Sequence, residues 1–136
     1  MVANVTPIFT LTPNIGFAPG VTAANTAKDG TGTTDLVFTA GADGAFLQKI
    51  KIRPKGTNVA TVARFFLNNG STPGTAANNM LFEEVSLPAT TNTETASIVG
   101  NEIILNMALP AGWRVYVAIG TAVAGGYAFT AVGGNY

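Results

Sequence analysis

The chain has no cysteine and no histidine among its 136 residues. Without cysteine there is no disulfide, no thiolate zinc site and no thiol nucleophile, so stability must come from packing. Without histidine the usual general base, the commonest metal ligand and a Ser-His-Asp arrangement are lost together. Charge is scarce too. Charged residues make up 10% of the chain, against roughly 25% in ordinary soluble domains. The seven basic and seven acidic residues cancel, leaving no net attraction toward nucleic acid or an anionic membrane, and neither is expected as a partner. A chain that is 47% hydrophobic with so little charge is expected to hide part of its surface against other chains.

The N-terminus, MVANVTPIF, lacks the basic segment and apolar run of a signal peptide. Val115 to Val132 carries no charge and approaches the length that spans a bilayer. Gly120, Gly125 and Gly126 interrupt it, and its apolar residues alternate on both sides of the break. A β-hairpin is expected there in place of a transmembrane helix.

What the chain does have is clearest between Phe46 and Gly70, FLQKIKIRPKGTNVATVARFFLNNG. Phe46, Gln48, Ile50 and Ile52 alternate with Leu47, Lys49, Lys51 and Arg53. That period of two predicts a half-buried strand. Pro54 to Asn58 reads as a turn, a second strand follows from Val59 to Leu67, and Asn68-Asn69-Gly70 stops it. The pair is expected to form a long antiparallel hairpin with one basic side. Further strands are expected around Asp35–Ala40, Met80–Leu87, Ile98–Met107, Trp113–Ile119 and Tyr127–Val132, separated by Gly, Pro and Asn clusters. Ile8 to Thr12 reads as a short edge strand between two prolines. Residues 13–34, broken by Gly16, Pro19-Gly20 and the DGTG run, read as a long loop. No segment shows helical periodicity. The expected fold is all-β: one antiparallel β-sandwich over residues 35–136, jelly-roll-like with about eight strands, preceded by an N-terminal arm over residues 1–34.

Candidate chemistry is thin. Glu83 and Glu84 are adjacent on a strand, so their side chains point to opposite faces and cannot form a glycosidase pair with each other. The DGTGTTD segment, Asp29 to Asp35, lacks the spacing and closing glutamate of a calcium loop. No Gly-Lys-Ser/Thr phosphate loop follows any glycine cluster. No enzyme activity, cofactor or metal is expected. Trp113 and Tyr127 read as core aromatics, with a sugar-stacking platform as the sharper alternative. Arg64, set between apolar neighbours, calls for a carboxylate partner, with Glu83 and Glu84 as candidates. The row Lys49, Lys51, Arg53 and Lys55 is the candidate partner-contacting set. A solvated outer face of an amphipathic strand explains it with no partner, and the absence of interleaved aromatics weighs against a nucleic-acid site.

Several pieces together resemble small virion proteins of tailed bacteriophages: the GTN turn, the strand ending in NNG, the LPA turn after an acidic strand, the LPAGW entry and the terminal GGNY. The likeness runs over about residues 45–136. It implies a capsid cement or decoration protein that sits on the virion head as a homotrimer and clamps the major capsid protein. On that reading the chain is made in the host cytoplasm and ends on the capsid surface. A head-fibre or tail-tip module that touches host glycan, and a tail-tube or connector protein, are the alternatives.

Overall fold

The computed structural model describes residues 9–136. Eight strands follow one another: β1 (Thr12–Val21), β2 (Asp35–Thr39), β3 (Ala45–Pro54), β4 (Thr61–Asn68), β5 (Asn79–Leu87), β6 (Asn101–Leu109), β7 (Arg114–Ile119) and β8 (Tyr127–Asn135). The only helical turn among the described residues is Ala76–Asn78. The strands build two antiparallel sheets packed face to face. Sheet 1 has the order β1-β8-β3-β6, and sheet 2 the order β2-β7-β4-β5.

The pairing has a simple rule. β1 pairs with β8, β2 with β7, β3 with β6 and β4 with β5. A long antiparallel ribbon rolled around a barrel axis produces this pattern, and β3–β8 and β4–β7 pairing then closes each sheet. This is jelly-roll order. Between the sheets lie Phe65, Phe129, Tyr127, Phe38, Leu47 and other residues with almost no exposed surface. The Phe65 ring stands edge-on to Phe129 with centroids 5.8 Å apart, an arrangement worth about 0.5–1.5 kcal/mol beyond burial.

Three expectations are corrected. First, β3 and β4 are not a hairpin, because one lies in each sheet. The turn at residues 55–60 carries the chain across the sandwich. β7 and β8 also lie in different sheets, so residues 115–132 are two strands of the sandwich joined across it, and not a hairpin. No helix among the described residues is long and apolar enough to cross a membrane. Second, the two faces of β3 are not those of simple alternation. Leu47, Ile50 and Ile52 are all buried, because the register against β8 shifts between Leu47 and Lys49. The extra residue, Gln48, forms a β-bulge, and a bulge reverses the phase of a strand.

Third, the loop expected at residues 13–34 is, over Thr12–Val21, the edge strand β1. The boundary between arm and sandwich therefore does not fall at residue 34. An edge strand tolerates proline on its free side, which accommodates Pro13. Pro19 and Gly20 sit at the register shift between Ala18 and Val21. Gly16 faces inward against the carbonyl of Val37, where a Cβ would overlap it. The glycine lets β1 and β2 close that side of the sandwich. The short strand expected at Ile8–Thr12 lies partly outside the described residues, and Phe9 to Leu11 precede β1.

Candidate interaction surface

The outer faces of the two sheets differ. On sheet 2, β4 directs Ala63 and Phe65 into the core, so Phe66 points outward, yet it is fully buried. The chain's own segment 22–34 lies against this sheet. Asn25 donates its backbone N–H to the Ile119 carbonyl, Arg64 Nη1 donates to the Asn25 carbonyl at 3.3 Å, and Gly30 packs against the Asn79 side chain. Asn25 holds the segment in shape by donating from Nδ2 to the Thr31 and Thr33 carbonyls, each at 2.8 Å. Arg64 meets the carboxylate expected for it, Glu84, with Nε to Oε1 at 2.8 Å.

Among the described residues, sheet 1 has no such cover. Its outer face reads across the strands in rows set by the register. Ile15, Val132, Lys49 and Ile104 form one row; Phe17, Thr130, Lys51 and Glu102 form the next. Ile15 is 61% exposed, Phe17 66% and Ile104 60%. The β1 side of this face is apolar and the β3 strip beside it is cationic. Lys49 is tied to Glu102 at 3.4 Å. Lys51 and Arg53 stand exposed on the same strip, and Lys55 lies just beyond the strand end, exposed beside Gly20. The structure thus brings Lys49, Lys51 and Arg53 onto one outer face, with Lys55 at its end. Lys51, Arg53 and Lys55 have no ion-pair partner among the described residues.

The sandwich is also closed on one side and open on the other. Ala18, Val21, Val37 and Phe38, on the β1/β2 side, are buried. At the opposite side, β5 and β6 are both edge strands. Their core-facing residues Phe82, Val85, Ile103, Leu105 and Met107 are only partly buried, as are Leu67 and Trp113 nearby. A groove of about 490 Å³ lies at Leu67, Met80 and Trp113 beside Asn69, Asn78 and Asn79.

That groove tests the sugar-platform alternative. Trp113 lines it, but no carboxylate does. Its three asparagine amides are committed inside the protein, Asn69 to Asn78, Asn78 to the Thr72 carbonyl and Asn79 to the Pro73 carbonyl. Tyr127 is 1% exposed and belongs to the core. Its hydroxyl finds no partner there, and burial raises its pKa.

The carboxylates do not converge. No cluster of three or more His, Cys, Asp or Glu residues suited to a metal occurs among the described residues. Asp29 accepts from the Thr31 N–H at 3.0 Å and the Thr31 hydroxyl at 2.6 Å, and these bonds lower its pKa. It closes an Asx turn. Burial raises the pKa of Asp35.

The motifs behind the phage resemblance turn out to be joints of the scaffold. Gly56 and Gly125 approach so closely that a Cβ on Gly125 would lie 2.7 Å from the Gly56 Cα. Asn58 of the GTN turn donates to the Gly56 and Gly126 carbonyls at 3.2 Å, and accepts from the Gly126 N–H at 2.9 Å. Its backbone pairs with Thr90, just after the LPA turn. Asn68 of NNG donates to Asn79 at 2.8 Å. Asn135 of GGNY accepts from Gly41 N–H and from Asn14. The buried asparagines 25, 58 and 68 and the exposed pair Ile15 and Phe17 were missed as important in the sequence. The alternation of Ile15 and Phe17 with the small Gly16 and Ala18 was the available signal. No known protein family, curated protein or solved structure matches the chain.

Proposed function

We propose that the chain is a structural protein of a bacteriophage virion, a capsid cement or decoration protein that associates with itself and binds the major capsid protein at the head surface. The observation that carries this reading is the outer face of sheet 1, where exposed apolar and cationic side chains share one surface uncovered by the described residues. Contiguous exposed apolar surface on a charge-poor chain is the physical mark of a protein that works in an assembly. The resemblance of residues 45–136 to tailed-phage virion proteins supplies the kind of assembly. The glycan-binding alternative draws only on Trp113, and no carboxylate lines its groove.

Capsid contact is assigned to the segment before β1, beginning beside the exposed Phe9 and Leu11, which are 78% and 79% exposed. A truncation that tests it has to stop short of β1, since removing residues 1–34 would delete an edge strand of the sandwich. A chain beginning at Thr10 is expected to fold and to keep its solution mass, yet to lose most of its occupancy on heads of the phage that encodes it, as read by co-sedimentation. Unchanged occupancy would contradict the assignment.

A further inference from the structure

We infer that copies of this chain join edge to face: the open β5/β6 edge of one copy packs across the outer face of sheet 1 of the next. The inference names the partner of the basic row in the reading above, shares its premise of self-association, and is tested without any capsid.

Two different apolar surfaces are left unsatisfied on the same molecule. One is the face at Ile15, Phe17 and Val132 on β1 and β8. The other is the edge, where Phe82, Val85, Ile103, Leu105 and Met107 lie half-covered between strands that stand apart. Charge matches them to each other. All four glutamates, Glu83, Glu84, Glu94 and Glu102, lie on β5, β6 or the segment joining them. Glu84 and Glu102 already meet Arg64 and Lys49; Glu83 and Glu94 have no cation partner among the described residues. The face carries the matching unpaired cations Lys51, Arg53 and Lys55. The free carboxylates Glu83 and Glu94 thus lie on the edge side and the free cations Lys51, Arg53 and Lys55 on the face, so each surface supplies the charge the other lacks.

The contact is made by side chains and not by adding a strand. Asn106 on β6 sits in the left-handed region at φ 47°, and the β3–β6 register shifts between Leu47/Met107 and Lys49/Ile104. A bulged edge strand is a poor template for a further strand. Because edge and face are different surfaces, the contact is heterologous, and it closes into a ring when the rotation between copies allows.

The test uses two variants of the full chain, each checked for folding by circular dichroism and thermal melting. Phe17→Glu spoils the face, and the double variant Met80→Lys/Glu83→Lys spoils the edge. The wild type is expected to run as a multi-chain ring in light scattering, and each variant alone as a monomer. An equal mixture of the two is expected to give dimers, since each pair retains one sound edge and one sound face. A mixture that stays monomeric would overturn the inference, and a variant that still associates alone would show that like surfaces pair with like. A wild type that is monomeric at about 100 µM, or either variant keeping the parental mass, would overturn it as well. Where Phe17→Glu or the double variant fails to fold, Ile15→Glu and Glu83→Lys alone replace them with the same outcomes.

Discussion

Asparagine does at residue scale what cysteine does in other small domains. The buried polar side chains among the described residues, Asn25, Asn58 and Asn68, are all asparagines. Asn25 and Asn58 bridge backbone groups that a loop would otherwise leave unpaired, and Asn68 joins the Gly70 N–H to the Asn79 side chain. Asn58 ties the residue 55–60 turn to the segment at Gly126, 68 residues away in the chain. Replacing it with leucine would leave the Gly126 N–H without a partner in a closed site, while the Gly56 and Gly126 carbonyls keep the Thr90 hydroxyl and the Lys55 N–H. The expected cost is about 1–3 kcal/mol, read as a fall in the denaturant midpoint. Exposed Asn92 changed to alanine is expected to cost less than about 0.5 kcal/mol. The sequence made GTN and NNG legible as turns, because Gly and Asn announce a change of direction locally. It did not make Asn58 legible as a bridge, because its partner lies on a distant loop and no local pattern records that distance.

At the scale of elements, alternation was readable wherever a strand is regular. Ile103, Leu105 and Met107 on β6, and Tyr127, Phe129 and Ala131 on β8, face the core as their spacing required. The reading failed at irregularities. The bulge at Gln48 reverses β3, and β1 is disguised by the two prolines and two glycines among its ten residues. Period two also says nothing about which sheet a strand joins, so β3 and β4 read as neighbours although the chain crosses between them. The closed β1/β2 side makes the sharpest demand on sequence. Gly16→Ala would place a methyl group into the backbone of Val37 and force the sheets apart. A loss of roughly 2–3 kcal/mol or more is expected, whereas a loop glycine would tolerate the change. Equilibrium unfolding of the variant decides between the two roles, and wild-type stability would contradict the close approach.

The whole molecule is asymmetric in two ways at once. Among the described residues, one outer face carries segment 22–34 while the other is uncovered, and one side of the sandwich is closed while the other stands open. The low charge that stood out in the sequence has its counterpart here: apolar residues such as Ile15, Phe17 and Ile104 occupy positions that a monomer's surface usually gives to charged residues. The candidate cations were legible as a row from spacing alone, but their companions on the face were not. Ile15 and Phe17 reach it only through the pairing of β1 with β8, the first and last strands of the chain. The most direct measurement of the account is the solution mass of the purified chain by light scattering after size exclusion. An assembly reading in the cement class predicts three chains of 13.9 kDa each moving together. A monomer that persists as the concentration rises would contradict it.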